Sequence, residues 1–124
     1  MFKVVLTVKR RAGMTRQQFI DYYEQNHTAL VLRTVPNAPL YRRNFIVDDA
    51  EVGGIRGSSS DEAGFDCMTE IGFHTREECE AHIAAYLDPA NHPLIAADEA
   101  KFIAPDGLRF YIMDVRQTSE LVPA

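Results

Sequence analysis

The sequence predicts an α+β fold, a ferredoxin-like split βαβ unit with a four-stranded antiparallel sheet. Three observations predict it. Apolar residues recur at strand and helix periods in the order strand, helix, strand, strand, helix, strand. Two helix-start signatures stand in the right places, Thr15 with Gln18 and Thr75 with Glu78. The 124 residues, 46% hydrophobic and 25% charged, suit a single domain, 1–124, that needs no disulfide staples.

Phe2 to Lys9 is rich in β-branched residues and reads as the first strand. Ala12-Gly13 is a turn. Helix one starts at Thr15, with Met14 and Phe19 placed as a hydrophobic staple. Phe19, Tyr23, Asn26/His27 and Leu30 carry it to about Leu32, ahead of Pro36 and Pro39. Leu40 to Val47 is the second strand, with Tyr41 and Arg43 on one face and Arg42 and Asn44 on the other. Residues 48–64 hold four of the seven glycines and read as a long flexible loop, not a linker.

Phe65 to Phe73 is the third strand. Helix two starts at Thr75 and carries Cys79, Ile83, Tyr86 and Leu87 as its apolar stripe, and Asp88-Pro89 ends it. A further helix spans about Pro93 to Ile103, with Leu94, Ile95, Asp98 and Phe102 near one face. Pro105-Asp106-Gly107 signals a turn. Leu108 to Val115 is the fourth strand, and 116–124 is a tail that turns apolar at Leu121-Val122.

The strands are apolar on both parities, yet the chain has helices for one side of the sheet only. A second copy packed sheet to sheet is the economical cover, so a homodimer is expected. The net charge of −5 and pI of 5.3 argue against a nucleic-acid partner. No apolar run approaches 18 residues, so no membrane span is expected. A strand reads almost from residue 1, so no cleaved signal is expected. Cys67 and Cys79 form neither a disulfide framework nor a CxxC pair, and the cytoplasm is the expected setting.

Several side chains invite a chemical reading. His27 falls on the inward face of helix one, where an imidazole can exchange protons near neutral pH. From the pattern alone, a core histidine bonded to a backbone carbonyl is the simpler reading. Asp98 also tends inward, either to orient that ring or to pair with Arg42, Arg43 or Lys101. Of Arg42 and Arg43, at least one faces a covered side; it clamps a substrate oxyanion or, by the general rule for buried charge, pairs with an acid. Cys67 sits among apolar neighbours and reads as core filler before nucleophile. His74, Glu78 and His82 recur every four residues but match no zinc signature, so no metal is expected. No phosphate-binding glycine loop follows a strand, so no nucleotide cofactor is indicated.

The stretch Met14 to His27, with Thr15, Phe19, Tyr23 and His27 in register, resembles the first helix of the EthD family. That family is named for ethyl tert-butyl ether degradation and belongs to the dimeric α+β barrel superfamily. Phe65 to Phe73, Tyr41-Arg42-Arg43-Asn44 and Ala97-Asp98-Glu99-Ala100-Lys101-Phe102 are similar to further blocks of it. The chain departs at Gly72, where relatives often carry Trp, a change that enlarges a pocket or reshapes packing. The resemblance implies a homodimer with a cleft between sheet and helices in each subunit. It also implies a cofactor-independent enzyme, a lyase or isomerase, working by proton transfer on an aromatic, polyketide-like or lactone substrate. His27 would be its acid/base and Asp98 its orienting group. Tyr23, Tyr41, Arg43, Asn44, Cys67 and Phe102 would contact the substrate. The alternatives are a non-catalytic small-molecule binder of an oxidative catabolic pathway, or an oxygen-using monooxygenase of the same superfamily.

Overall fold

β1 (Phe2–Arg10) and β5 (Cys67–Phe73) form the middle of an antiparallel sheet in the computed structural model, which describes residues 1–119. β2 (Leu40–Phe45) borders β5 and β6 (Ile103–Asp114) borders β1, giving the order β2-β5-β1-β6. The α+β fold is the expected one. Leu121-Val122 lie outside the described residues.

The alternation of each strand sets its two faces. Val4 and Val8 of β1 enter the two apolar cores, and opposite them stand Ile71 and Cys67 of β5. This face lies under the helices. One core gathers Val8, Phe19, Tyr23, Cys67, Phe102 and Ile103; the other gathers Val4, Phe73 and Cys79.

The first helical stretch has three parts: α1 (Arg16–Tyr22), a π-helical turn (Tyr23–His27) and α2 (Thr28–Thr34). Thr15 and Gln18 form the full capping box, and Met14 packs on the same core as Phe19. In the π turn the Tyr23 carbonyl accepts both the Thr28 backbone N–H and, at 2.9 Å, the Thr28 hydroxyl. The wider turn brings Tyr23 and His27 to the buried side together and leaves Asn26 exposed.

Residues 48–64, expected as one flexible loop, hold a hairpin of β3 (Glu51–Val52) and β4 (Ile55–Arg56), then the one-turn helix α3 (Ser60–Ala63). Ser59 and Glu62 close a capping box there that the sequence reading passed over. At α4 (Arg76–Leu87) only half of the expected box forms. The Thr75 hydroxyl accepts the Glu78 N–H, but the Glu78 carboxylate reaches the backbone of His74 instead of Thr75.

α5 (His92–Phe102) runs directly into β6. The turn expected at Pro105-Asp106-Gly107 does not precede the last strand; it is a bulge inside it. β6 pairs with β1 on both sides, at Arg10 with Ile103 and at Val8 with Leu108, so residues 104–107 loop out between. Asp106 takes a left-handed φ of 58°, and a Cβ on Gly107 would stand 2.8 Å from the Ala104 carbonyl. β2 also ends at Phe45, short of the expected Val47.

No element among the described residues covers the second face of the sheet. Tyr111, Met113 and Met68 are exposed there. Glu70 anchors its polar part, accepting from Arg42 at 2.7 Å, Lys3 at 2.9 Å and Asn44 at 3.0 Å. Arg42 first, with Lys3 and Asn44, holds the Glu70 carboxyl at about 2 against its partial burial. A carboxyl lowered on folding stabilises the fold above its unfolded pKa. That stability is expected to drain away as pH falls from about 4.5 towards about 2. The gap in urea midpoint between wild type and Glu70→Gln should therefore close over that window.

Gly72 lies on this open face. A Cβ there would come within 2.8 Å of the Met1 sulfur and 3.0 Å of Leu40. Gly72, the expected departure from the family pattern, therefore shapes sheet packing and does not border the helix-side cleft.

Candidate functional site

Two groups of polar side chains sit on the helix side. Asp98 and Glu99, neighbours on α5, belong to different ones.

Asp98 faces the first helical stretch. Its Oδ2 lies 2.9 Å from His27 Nδ1, and its Oδ1 accepts from the Tyr22 hydroxyl at 2.5 Å. A carboxylate accepts, so Nδ1 carries the hydrogen and Nε2 keeps its lone pair. Nε2 has no hydrogen bond among the described residues. Burial pushes His27 below its usual pKa, with Asp98 opposing, so the ring is neutral at pH 7. Burial and Asp98 push Tyr22 up to about 12. The His27 ring lies 4.9 Å from Phe102 and 5.6 Å from Tyr23, and the residue is 6% exposed.

Glu99 faces the other way. It stands at the polar end of a cleft of about 340 Å3 between the sheet and α4 and α5. Val4, Leu6, Ile71, Ile83, Leu108 and Phe110 supply apolar walls. The Tyr86 hydroxyl donates to both Glu99 oxygens, at 3.0 and 3.2 Å. Burial pushes Glu99 above the usual carboxylate range, with Tyr86 and then His92 opposing. Burial and Glu99 push Tyr86 well above its usual value. The His92 ring lies 5.3 Å from Tyr86. His92 Nδ1 is the one buried side-chain nitrogen or oxygen without a hydrogen-bond partner among the described residues. His82 also lines the cleft; its Nδ1 lies 2.9 Å from the Pro36 carbonyl oxygen and its ring packs on Phe73.

An apolar cavity of this size with a few convergent polar groups and a shifted carboxyl is the usual form of a small-molecule site. A depression of about 250 Å3 beside the turn after β1 differs in character. It is lined by Lys9, Arg10 and Arg11, but Asp66 already holds the Arg10 backbone at 2.8 Å and its guanidinium at 3.4 Å.

The structure brings His27, Asp98, Tyr23 and Phe102 together. None of the four borders the α4–α5 cleft. The Tyr23 hydroxyl pairs with Thr69 at 2.6 Å, and Phe102 is fully buried among rings. Arg43 lies over the Tyr41 ring and pairs with Glu24 at 2.6 Å. Asn44 lies on the open face beside Glu70. Cys67 is fully buried, and burial pushes its thiol to about 11, which disfavours a thiolate.

The sequence reading did not single out Glu99 or give Tyr86 a chemical role. Tyr86 and His92 stand six residues apart across the break between two helices, a spacing that matches no single helical face. Glu99 follows Asp98 directly, and attention to the more inward residue hid it.

No helix among the described residues is long and apolar enough to cross a membrane. The structure is similar to that of At3g17210 from Arabidopsis thaliana, with a TM-score of 0.61, 15% identity and coverage of 97% of this chain and 100% of that one. It is also similar to an ethyl tert-butyl ether (EthD) family protein, bh0200, from Bacillus halodurans C-125. There the TM-score is 0.61 at 19% identity, covering 94% of this chain and 100% of that one. No curated protein matches the chain. The model of the EthD domain matches residues 11–106, which takes in the first helical stretch, β2, β5 and both helices of the cleft. The chain belongs to the EthD family.

Proposed function

We propose that the chain binds a small, largely apolar carbonyl compound in the α4–α5 cleft and moves a proton on it without a cofactor. The observation that carries this reading is Glu99, a carboxyl partly desolvated at the polar end of an apolar cavity and bonded to Tyr86. A carboxyl raised towards neutrality is a better base and acid at working pH than a solvated one. Glu99 takes a proton from the carbon next to the carbonyl and returns one to it. Tyr86, which lines the cleft, is the group at hand for the oxygen.

Deuterium exchange into 2-tetralone, followed by NMR in D2O, tests it. The protein should speed exchange at the carbon beside the carbonyl over buffer, and Glu99→Gln should slow it about tenfold or more. Ile83→Trp, which fills the cleft, should abolish both binding and exchange. Binding without exchange would leave a carrier and sink the catalytic part.

A second reading puts the acid/base at His27, favoured by the Asp98 bond that holds Nδ1 and frees Nε2. On that reading His27→Gln stops exchange and Glu99→Gln spares it. On the first reading the pattern reverses. We also propose that a second copy covers the open sheet face, because Tyr111, Met113 and Met68 are otherwise bare.

A further inference from the structure

The groups that line the cleft bear on the charge of what it holds. Apart from histidine, its one ionisable charge is that of Glu99; no Lys or Arg borders it. Arg11 borders the adjoining depression, which shares Glu99 and Leu108 with the cleft. Tyr86 offers one hydroxyl hydrogen to the two Glu99 oxygens. That leaves carboxylate lone pairs free to accept from a ligand. The rings of Tyr86, His82 and Phe110 stand round the same space. Aromatic faces attract cations.

We propose that the cleft selects its ligand by head-group charge. It takes an apolar skeleton with a neutral carbonyl or hydroxyl or a protonated amine, rejects the same skeleton bearing a carboxylate, and uses Glu99 to do so. The inference rests on the cleft reading and adds ligand class to it. A carboxylate ligand would place a second anion beside Glu99 in a partly desolvated space, and two carboxyl groups at one site cannot both ionise cheaply. A hydroxyl or ammonium head instead donates to the free lone pairs of Glu99. Nothing else in the cleft lining offers an anion a full positive charge, because burial lowers the pKa of His82, the one histidine there.

The test is calorimetric titration of the whole chain at pH 8 with three probes of one skeleton: 2-naphthol, 2-naphthylmethylamine and 2-naphthoate. The naphthol and the amine should each bind at least about tenfold more tightly than the naphthoate. In Glu99→Gln the gap between naphthol and naphthoate should shrink to about threefold or less, through weaker naphthol and tighter naphthoate binding. Leu87→Arg places a cation at an exposed position on the cleft wall and should tighten naphthoate at least about threefold. That second variant keeps the proposal testable if Glu99→Gln does not fold. Naphthoate binding within threefold of naphthol in the wild type would overturn charge selection while leaving the cleft reading intact. A gap unchanged in Glu99→Gln would remove Glu99 from the role. If none of the three probes binds, the cleft reading falls and the selection with it.

Discussion

Phe102→Ala is expected to destabilise the fold by about 3–5 kcal/mol, the usual cost of deleting a buried aromatic ring. Phe102 is fully buried, and four rings surround it: His27 at 4.9 Å, Tyr23 at 5.2 Å, Tyr22 at 5.3 Å and Phe19 at 5.8 Å. The ring joins α5 to both α1 and the π turn, so its removal opens a void that no single helix can close by shifting. Domains of this kind have only about 5–15 kcal/mol in total, so the variant should be marginal at 37 °C. Urea unfolding measures the loss. Phe102→Leu, which keeps most of the volume, should recover more than half of it. Were Phe102 chiefly a substrate contact, the alanine variant would keep its urea midpoint and lose only binding.

Asp98→Ala is expected to cost about 2–4 kcal/mol, because it leaves two donors without their acceptor in a place water scarcely reaches. Those donors are the Tyr22 hydroxyl at 2.5 Å and His27 Nδ1 at 2.9 Å. Asp98→Asn keeps one acceptor oxygen and should cost about half as much. The histidine carries the sharper signature. Burial already lowers the His27 pKa, and Asp98 is what opposes the burial. Removing the charge should lower it further, which NMR titration of the ring reads directly. The sign for stability follows. A neutral ring whose folded pKa lies below 6.5 stabilises the fold above that pH. The contribution is lost as pH falls from 6.5 through the folded value, and Asp98→Asn should extend that window to lower pH.

Much of the fold was legible because it rests on local chemistry. The β-branched run in β1, the Thr15 box and the alternation in β5 each specify their element within a few residues. The failures have local causes too. Pro105-Asp106-Gly107 does form a turn, but tertiary pairing resumes on both sides and makes it a bulge. The hairpin at Gly53-Gly54 was masked by the glycines and acids around it. The π turn has no composition signal at all; it spans Tyr23 to His27, a pair that i, i+4 spacing already puts on one face.

The site divides in the same way. Helical spacing put His27 and Asp98 inward, but their contact spans 71 residues of sequence and needs the tertiary fold. The open sheet face was legible from two-parity strands, and Glu70 now gives it a polar centre. A cleft between sheet and helices was implied by the family resemblance alone; its lining was not legible, because its walls come from β1, β5, α4, α5 and β6 at once. A carboxyl like Glu99 reads as a surface residue until burial and Tyr86 are seen.

The central claim is that ligand binds in the α4–α5 cleft, against Glu99. Amide chemical-shift mapping during titration with 2-naphthol tests it most directly. The account predicts that the largest shifts fall on Leu6, Ile83, Tyr86, Glu99 and Leu108, and that Ile83→Trp abolishes them. Shifts centred on Tyr22, His27 and the π turn, with the cleft residues unmoved, would contradict it.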